Sequence, residues 1–499
     1  MQVFWFKRDL RLEDNSPFSE AVKAGPVLPI FIHEPDIICA RDYAVQHHEF
    51  IAESLEELSH NLAIRGIALK EFSGSAPATL ETIWQHHPFV DLWSHQEVGN
   101  GASYARDKAV AAWCRGRGVT WHQLPQNGVI RGTSGSRSQR QWLAQLEDYM
   151  AEPPLAAPAK MMPTILDAVM LPSDDKLSPA GEDKPGRLRG GRARAMKLLD
   201  TFLNQRILQY PSDISSPLTA ETGCSRLSPY LAYGVLSARE VVAAMNKRID
   251  LLDEGASTYE RERLVNALRF FADRLRWRFG YFQNMESQPQ LEFENLNRRM
   301  DGLRESEFNQ AYFSAWKDAK TGYPMVDAAM EMLRHTGWVN MRMRGMLLSF
   351  AVNDLWLHWR EPALFLAQEF LDYEPAIHYN QMQIHAGTAG GPHTLTYNVV
   401  KQAQDLDAGG VFVRRWLPVL RDVPFEYIFE PWTMPDSVQA TCGVKIGLNY
   451  PAPVVNASAA SRRARTLVAE AQKAIAGKSA SHIQRKQAAL SADSQLALF

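Results

Sequence analysis

Residues 338–387 read WVNMRMRGMLLSFAVNDLWLHWREPALFLAQEFLDYEPAIHYNQMQIHAG, and residues 397–418 read YNVVKQAQDLDAGGVFVRRWLP. Arg342 and Arg344 open a strongly apolar helical run that continues through Leu347, Leu348, Phe350 and Leu355. Guanidinium groups in such a run are costly unless each meets a carboxylate or a phosphate. Asp354, Glu361 and Glu369 are nearer in sequence, but Asp372 and Glu374 sit in a more polar stretch where a pocket can open, followed by His378 and His385. Two readings stand side by side. One is a helix-bundle core with two satisfied arginines; the other is an Arg–Asp contact beside a dry site for a polar, redox-active ring.

Outward from this stretch the helical pattern reaches back to Gly190. Leu264, Leu268, Phe271 and Leu275 form one apolar stripe at helical spacing. Upstream the pattern changes. Short β-favouring runs at Gln2–Phe6, Val27–Ile32, Ala68–Phe72, Asp91–Ser94 and Val119–Gln123 alternate with helical segments at Ser16–Ala24, Tyr43–Ile64 and Ala102–Arg115. That alternation predicts a parallel, Rossmann-like sheet covered by helices, with ligands at the carboxyl ends of its strands. No G-x-G-x-x-G follows a strand, so a dinucleotide is not indicated there. Residues 151–185, rich in Pro, Ala and acidic residues, read as a surface connection.

With 499 residues, 45% hydrophobic and 22% charged, the chain has the composition of a globular protein of two or more domains. No apolar run reaches the ~20 residues of a membrane span. The start, MQVFWFKRDLRL, turns charged too early for a signal peptide. A cytoplasmic protein without membrane contact, monomeric by default, is expected. Cys39, Cys114, Cys224 and Cys442 are scattered, so neither a zinc nor an iron–sulfur site is legible. Between Arg187 and Arg206 six basic residues face one acidic residue, a run that suits phosphate or a solvated face.

VFWFKRDLRLEDN at 3–15, TGCSRLSPYLAYGVLS at 222–237, KTGYPMVDAAM at 320–330, TGW at 336–338 and RRWLP at 414–418 fall in order along the chain. Together they resemble the photolyase/cryptochrome family. The resemblance implies an α/β antenna domain over 1–133, an interdomain linker over 134–189, an all-α FAD-binding domain over 190–455 and a basic tail over 456–499. It implies that Cys224, Ser225, Arg226, Leu227 and Ser228 form the turn that holds the FAD pyrophosphate, with Tyr210 reaching the same phosphates. Cys224 stands where the family usually has Thr. Arg344 and Asp372 match the pair beside the isoalloxazine ring, flanked by Arg342, Tyr373 and Glu374, and His378 falls where a residue faces flavin N5. Trp277 matches the aromatic wall for a flipped pyrimidine dimer, in UV-damaged DNA whose phosphates Arg276, Arg278 and the basic run would hold.

The departures concern repair chemistry. Arg274 stands where cyclobutane-dimer enzymes of the family place Glu. Met341 stands where they place Asn, with Asn340 one position earlier. Ile384 replaces the second aromatic wall and Met382 the proximal electron-carrier tryptophan. Trp359 remains, while Ser306 replaces the distal carrier; Trp338, Trp356, Tyr373 or Tyr379 offer another route. The paired histidines of the (6-4) type are absent from VNM, leaving His378 or His385 as substitutes. Two functions follow: a light-driven DNA photolyase, or a cryptochrome-type receptor that signals without repair. The resemblance leaves open in the α/β domain either a second, light-harvesting chromophore (a deazaflavin, a folate or a lumazine) or none, with His33, Glu34, Glu97 and Arg106 as candidate liners. The terminal Gln495–Phe499, QLALF, resembles the peptide that docks on the bacterial DNA sliding clamp; docking on the protein's own helical domain is the alternative.

Overall fold

The computed structural model describes residues 1–131, 136–162, 177–252, 257–389 and 396–476. The chain folds as two compact units. The first comprises Met1–Pro211, Gly223–Pro289 and Leu371–Ile377; the second comprises Ser212–Thr222, Gln290–Phe370 and His378–Phe499. The terminal pentapeptide lies outside the described residues.

The first unit is built on a parallel sheet. Its strands are β1 (Gln2–Phe6), β2 (Val27–His33), β3 (Lys70–Ser73), β4 (Asp91–His95) and β5 (Thr120–Leu124), in the order β3-β2-β1-β4-β5. The register runs Gln2↔Val27 to Phe6↔Phe31 on one side of β1 and Gln2↔Asp91 to Phe4↔Trp93 on the other. A strand buried on both faces needs apolar residues at every position, and β1 is buried throughout. Phe4 and Phe6 meet Phe18 of α1 (Ser16–Ala24) at 4.9 and 5.7 Å between ring centroids. Val3 and Trp5 join the opposite core, with Leu80 and Ile83 of α3 (Ala76–His86) and Val110 of α4 (Gly101–Arg117); α2 (Val45–Ile64) precedes β3. Asn15 caps α1, its side chain accepting from Phe18 N at 3.2 Å, so the DN of the first motif is a helix start.

Two of the quoted motifs dock on each other inside this unit. Arg8 Nε donates to Ala232 O at 3.0 Å, Leu10 N to Tyr233 O at 3.2 Å and Arg11 Nη1 to Gly234 O at 2.9 Å. Gly234 has φ +66°, and a Cβ there would lie 2.2 Å from Arg8 O, so only glycine permits the approach. The helix α5 (Ser136–Ala151) packs Trp142 and Leu146 with Phe279 of the long α6 (Thr258–Ser287). The stripe Leu264, Leu268, Phe271 and Leu275 is buried along α6.

The basic run is corrected by its partners. Arg187 is buried between Glu53 and Asp183, Arg189 meets the same two carboxylates, and Arg192 meets Glu13 and Glu240. These pairs tie the connection to the first unit, while Arg189, Arg194 and Lys197 stay exposed.

In the second unit the TGYP motif is a carboxylate-centred turn. Asp327 accepts from Thr321 N (2.9 Å), Thr321 Oγ1 (2.7 Å), Gly322 N (3.1 Å) and Tyr450 O–H (2.9 Å), and so starts α7 (Pro324–Thr336). The apolar run after Arg342 does not form one helix. It is α8 (Met341–Ser349), then a π-helical turn over Phe350–Asp354, and Trp356 at φ +54° ends it. A helix over Arg360–Glu369 follows, and α9 (Pro375–Ala386) ends the quoted stretch. The basic tail begins as α10 (Ala457–Ala476), which packs Ala464 and Val468 on Trp356 and Met300. No helix of the described residues is long and apolar enough to cross a membrane.

Candidate cofactor and substrate site

The phosphate-turn candidates lie in the first unit. Arg226 takes φ +57°, which a non-glycine residue adopts only under constraint. The kink sets Ser228 as the first residue of a short helix, with Leu227 fully buried beneath it. Ser225 Oγ accepts from Leu227 N at 3.4 Å, and the carbonyl of buried Cys224 accepts from the Arg206 guanidinium. Tyr210 stands edge-on to Phe202, Phe270 and Phe271, and burial pushes its hydroxyl well above the usual phenol range.

Arg274 completes this region. Its guanidinium lies 4.2 Å over the Phe270 ring and 4.0 Å over the Trp277 ring. It has no hydrogen bond or ion pair among the described residues. Burial lowers its pKa, yet a guanidinium stays charged at neutral pH. A half-buried cation stacked on a half-exposed indole is a place for an anion or a carbonyl-rich ring. A phosphorylated cofactor and a nucleobase both fit that donor set.

The segment 371–374 also belongs to the first unit, and it is pinned. Glu374 forms a bidentate pair with Arg278, 2.6 Å on its Oε1 side, with both side chains buried. Arg278 also donates to Leu231 O at 3.0 Å. The expectation that Arg278 holds a DNA phosphate is therefore corrected: this guanidinium is enclosed and holds Glu374. Arg8 donates to Tyr373 O at 2.7 Å, and Tyr373 O–H donates to Asp42 at 2.6 Å. Asp372 is half-buried beside them.

The remaining candidates lie in the second unit. Asn340 caps α8, accepting from Met343 N at 3.2 Å and donating to Ile214 O at 3.1 Å, so its amide is committed to local structure. Met341 is exposed at 44%. Arg344 donates from Nε to Val339 O at 2.9 Å and stacks 4.2 Å over Phe370. Arg342 lies 5.9 Å from the Tyr397 ring. Asp372 and Glu374 are thus in a different unit from the two arginines. His378 Nε2 is 2.9 Å from Ala363 O. A carbonyl only accepts, so Nε2 carries a proton. Trp359 is buried and donates to Asn295 at 2.7 Å; Met382 is buried and Ile384 half-buried. His385, the other candidate substitute for the (6-4) histidines, lies against α8. Gly345 leaves the room its imidazole occupies, since a Cβ there would be 2.8 Å from His385 Cε1; burial pulls that imidazole down to about 4 and keeps it neutral.

A cavity of about 810 Å³, open mouth included, lies in the first unit at the carboxyl ends of β1, β2 and β4. His33, Glu34, Glu97 and Arg106 all line it, together with Arg8 and Tyr373. This is the side of a parallel sheet where ligands bind.

Comparison with known proteins follows the same division. A family model described as DNA photolyase matches residues 2–141, and one described as the FAD binding domain of DNA photolyase matches residues 271–470. The chain belongs to the photolyase/cryptochrome family. Among relatives of this family, the deoxyribodipyrimidine photo-lyase of Vibrio cholerae is 29% identical over 465 residues, covering 87% of this chain and 94% of that protein. Cryptochrome-1 of Arabidopsis thaliana is 28% identical over 92% of this chain and 69% of its own length. A bacterial class III photolyase from Agrobacterium tumefaciens superposes with a TM-score of 0.79 at 25% identity, over 94% of this chain and 97% of that one.

Proposed function

We propose that the protein is a FAD-dependent, blue-light-driven DNA photolyase that repairs UV-induced pyrimidine dimers. The observation that carries this reading is the Arg274–Trp277 platform: a flat indole for a base, with an uncommitted guanidinium at 4.0 Å. When bound, reduced FAD supplies the light-excited electron that splits the lesion and accepts it back afterward. Ser225, Arg226, Ser228 and Tyr210 would hold its phosphates. Arg342 and Arg344 would favour an anionic reduced ring, and His378 would stand at its N5 edge. Trp277 would receive the flipped base; stacking on an indole contributes about 1–3 kcal/mol per base.

Arg274 changes what is recognised. A glutamate accepts hydrogen bonds, whereas a guanidinium only donates, so this pocket favours the carbonyl oxygens of the lesion or its phosphate. Met382 and Trp359 frame the route of electrons to the cofactor, and a thioether in place of an indole makes photoreduction depend on another aromatic side chain. A second, light-harvesting chromophore would sit in the cavity of the first unit. The Gln495–Phe499 peptide would tether the enzyme to the sliding clamp; equal retention on clamp resin of the full chain and of a chain ending at Ser494 removes that part of the proposal.

The test uses FAD-loaded, chemically reduced protein and an oligonucleotide with one defined dimer, in darkness and under blue light. Light-dependent loss of the dimer is expected, and Trp277→Ala should keep its FAD and lose at least about tenfold in lesion affinity. Intact photoreduction without any loss of dimer would instead establish a receptor.

A further inference from the structure

The segment 371–374 carries one phenol whose proton has a defined place to go. Tyr373 is buried, and its O–H donates to Oδ2 of buried Asp42 at 2.6 Å. Asn100 Nδ2 donates to the same oxygen at 2.9 Å. The orientation of that amide is fixed, because Asn100 Oδ1 caps α4 by accepting from Ser103 N at 3.1 Å. A carboxylate oxygen that accepts from two donors carries no proton of its own, so the phenol holds the shared proton and Asp42 is its acceptor. The Tyr373 ring stacks on His47 of α2, with centroids 6.2 Å apart, and Arg8 donates to the Tyr373 carbonyl at 2.7 Å. Glu374, the next residue, is locked to Arg278. Ring and main chain are therefore both held where the phenol meets the carboxylate.

This geometry suits the loss of one electron. A buried phenol that lost an electron alone would become a cation beside Arg8, and an unpaired buried charge is costly. With Asp42 in contact, the proton can leave with the electron, and no cationic ring is formed. Two other aromatic candidates lack such a base. Trp356 lies beside two guanidiniums, 4.4 Å from Arg304 and 5.2 Å from Arg463, and its Nε1 is buried with no partner among the described residues. Electron loss there would place a third positive charge next to two others. Trp359 donates to the Asn295 amide at 2.7 Å, and an amide oxygen accepts a hydrogen bond without taking the proton.

We propose that Tyr373 is the electron donor to light-excited, oxidised FAD, with Asp42 as the base that takes its proton. The choice of oxidant rests on the FAD-dependent photolyase reading, in which Asp372, the preceding residue, stands beside the isoalloxazine ring; the choice of base rests on the hydrogen bond alone. In the step, one electron passes from the Tyr373 phenol to the flavin, the O–H bond breaks and the proton bonds to Asp42 Oδ2. The products are a neutral tyrosyl radical, a protonated Asp42 and a flavin reduced by one electron. An added thiol returns one electron to the radical while Asp42 returns the proton, and the oxidised thiols pair as a disulfide. Tyr373 thereby fills the role that the Met382 thioether leaves open.

The experiment illuminates FAD-loaded, oxidised protein with blue light in the presence of a thiol, and records transient absorption and electron paramagnetic resonance. A tyrosyl radical is expected, forming more slowly in heavy water than in ordinary water. Tyr373→Phe keeps the ring and removes the proton. It should abolish that signal and slow photoreduction by at least about tenfold, the effect of ~1.4 kcal/mol on a barrier. Asp42→Asn keeps a hydrogen-bond acceptor and loses the base. It should suppress the tyrosyl signal at unchanged FAD content, which a merely structural role would not do. A tryptophan radical alone in the unmodified protein, or a tyrosyl signal that survives in Tyr373→Phe, overturns the assignment of the donor. A tyrosyl signal that is insensitive to heavy water and survives in Asp42→Asn overturns the base. None of these readouts needs a lesion. A tyrosyl radical without dimer repair would keep the donor and reject the photolyase reading, whereas repair by chemically reduced protein with no tyrosyl radical on illumination of the oxidised form would do the reverse.

Discussion

Arg278 and Glu374 show how one side chain can carry a structural and a functional consequence together. Both are buried, they pair bidentately, and they lie 96 positions apart in the chain. Removing one partner of such a pair leaves the other charge buried and uncompensated, at a cost of about 3–5 kcal/mol. Glu374→Gln is therefore expected to destabilise the protein by about that amount in urea unfolding. It should also lower FAD content, because Asp372 hangs on the same pinned segment. A loss below about 1 kcal/mol with normal FAD content would mean the pair is dispensable. Neither half was legible as a pair in the sequence. Arg278 read as a surface cation in RLRWRF, since its partner is supplied by tertiary folding alone. The same blindness explains the basic run from Arg187, whose carboxylates Glu53, Glu13 and Glu240 sit far away in sequence. By contrast, the closeness of Arg274 and Trp277, 4.0 Å from guanidinium to ring centre, was legible because i,i+3 spacing puts both on one face of a helix.

At the scale of elements, the strands were legible because β1 to β5 carry short β-favouring runs between turn signals, and β1 and β2 are almost wholly apolar. The helical region was legible in type but not in its breaks. Phe350–Asp354 keeps the apolar pattern of α8, so periodicity gives no hint of the π-turn there. What fixes that turn is a contact with the tail helix. Ser461 O–H donates to Asp354 Oδ1 at 2.6 Å, while Asp354 Oδ2 is buried with no partner among the described residues. Burial raises the Asp354 carboxyl to about 7, opposed by the Ser461 hydrogen bond and then by Arg465. In the unfolded chain an aspartate titrates near ~3.9. Between those two values the folded chain holds a proton that the unfolded chain has lost. Stability contributed by this group is therefore full below pH ~4, falls as pH rises, and is gone above about 7. The slope is at most about 1.4 kcal/mol per pH unit. Asp354→Asn keeps an acceptor for Ser461 and removes the titration. It should flatten the Tm-against-pH curve between pH 5 and 7.5 and stabilise the protein at pH 7.5. An unchanged slope would assign the pH dependence to another group, Asp327 first, whose carboxyl burial raises to about 6.

For the whole molecule, the question is which charges reach DNA. The net charge of −2 and the internal pairing of the basic run together remove the simplest electrostatic account of binding. Each phosphate neutralised by a duplex binder contributes about −0.9 to the slope of log K against log salt, and about −0.7 on a single strand. Arg189 is half-exposed, yet its guanidinium already meets Glu53 and Asp183 at 3.1 and 3.2 Å. Arg189→Ala should therefore leave both the affinity for dimer-bearing duplex and its salt slope unchanged. Arg274 has no carboxylate to leave, so Arg274→Ala should weaken binding by about tenfold or more. The slope then separates two roles. A fall of about 0.7–0.9 places the guanidinium on a phosphate, whereas lost affinity at constant slope places it on the lesion's carbonyl edge. With the Arg274 guanidinium carbon 4.0 Å from the Trp277 ring centre, the second outcome is the expected one: a group in contact with the stacking surface is beside the base, not beside the backbone. If Arg189→Ala lowers the slope and Arg274→Ala does not change affinity, the assignment of the binding face is reversed.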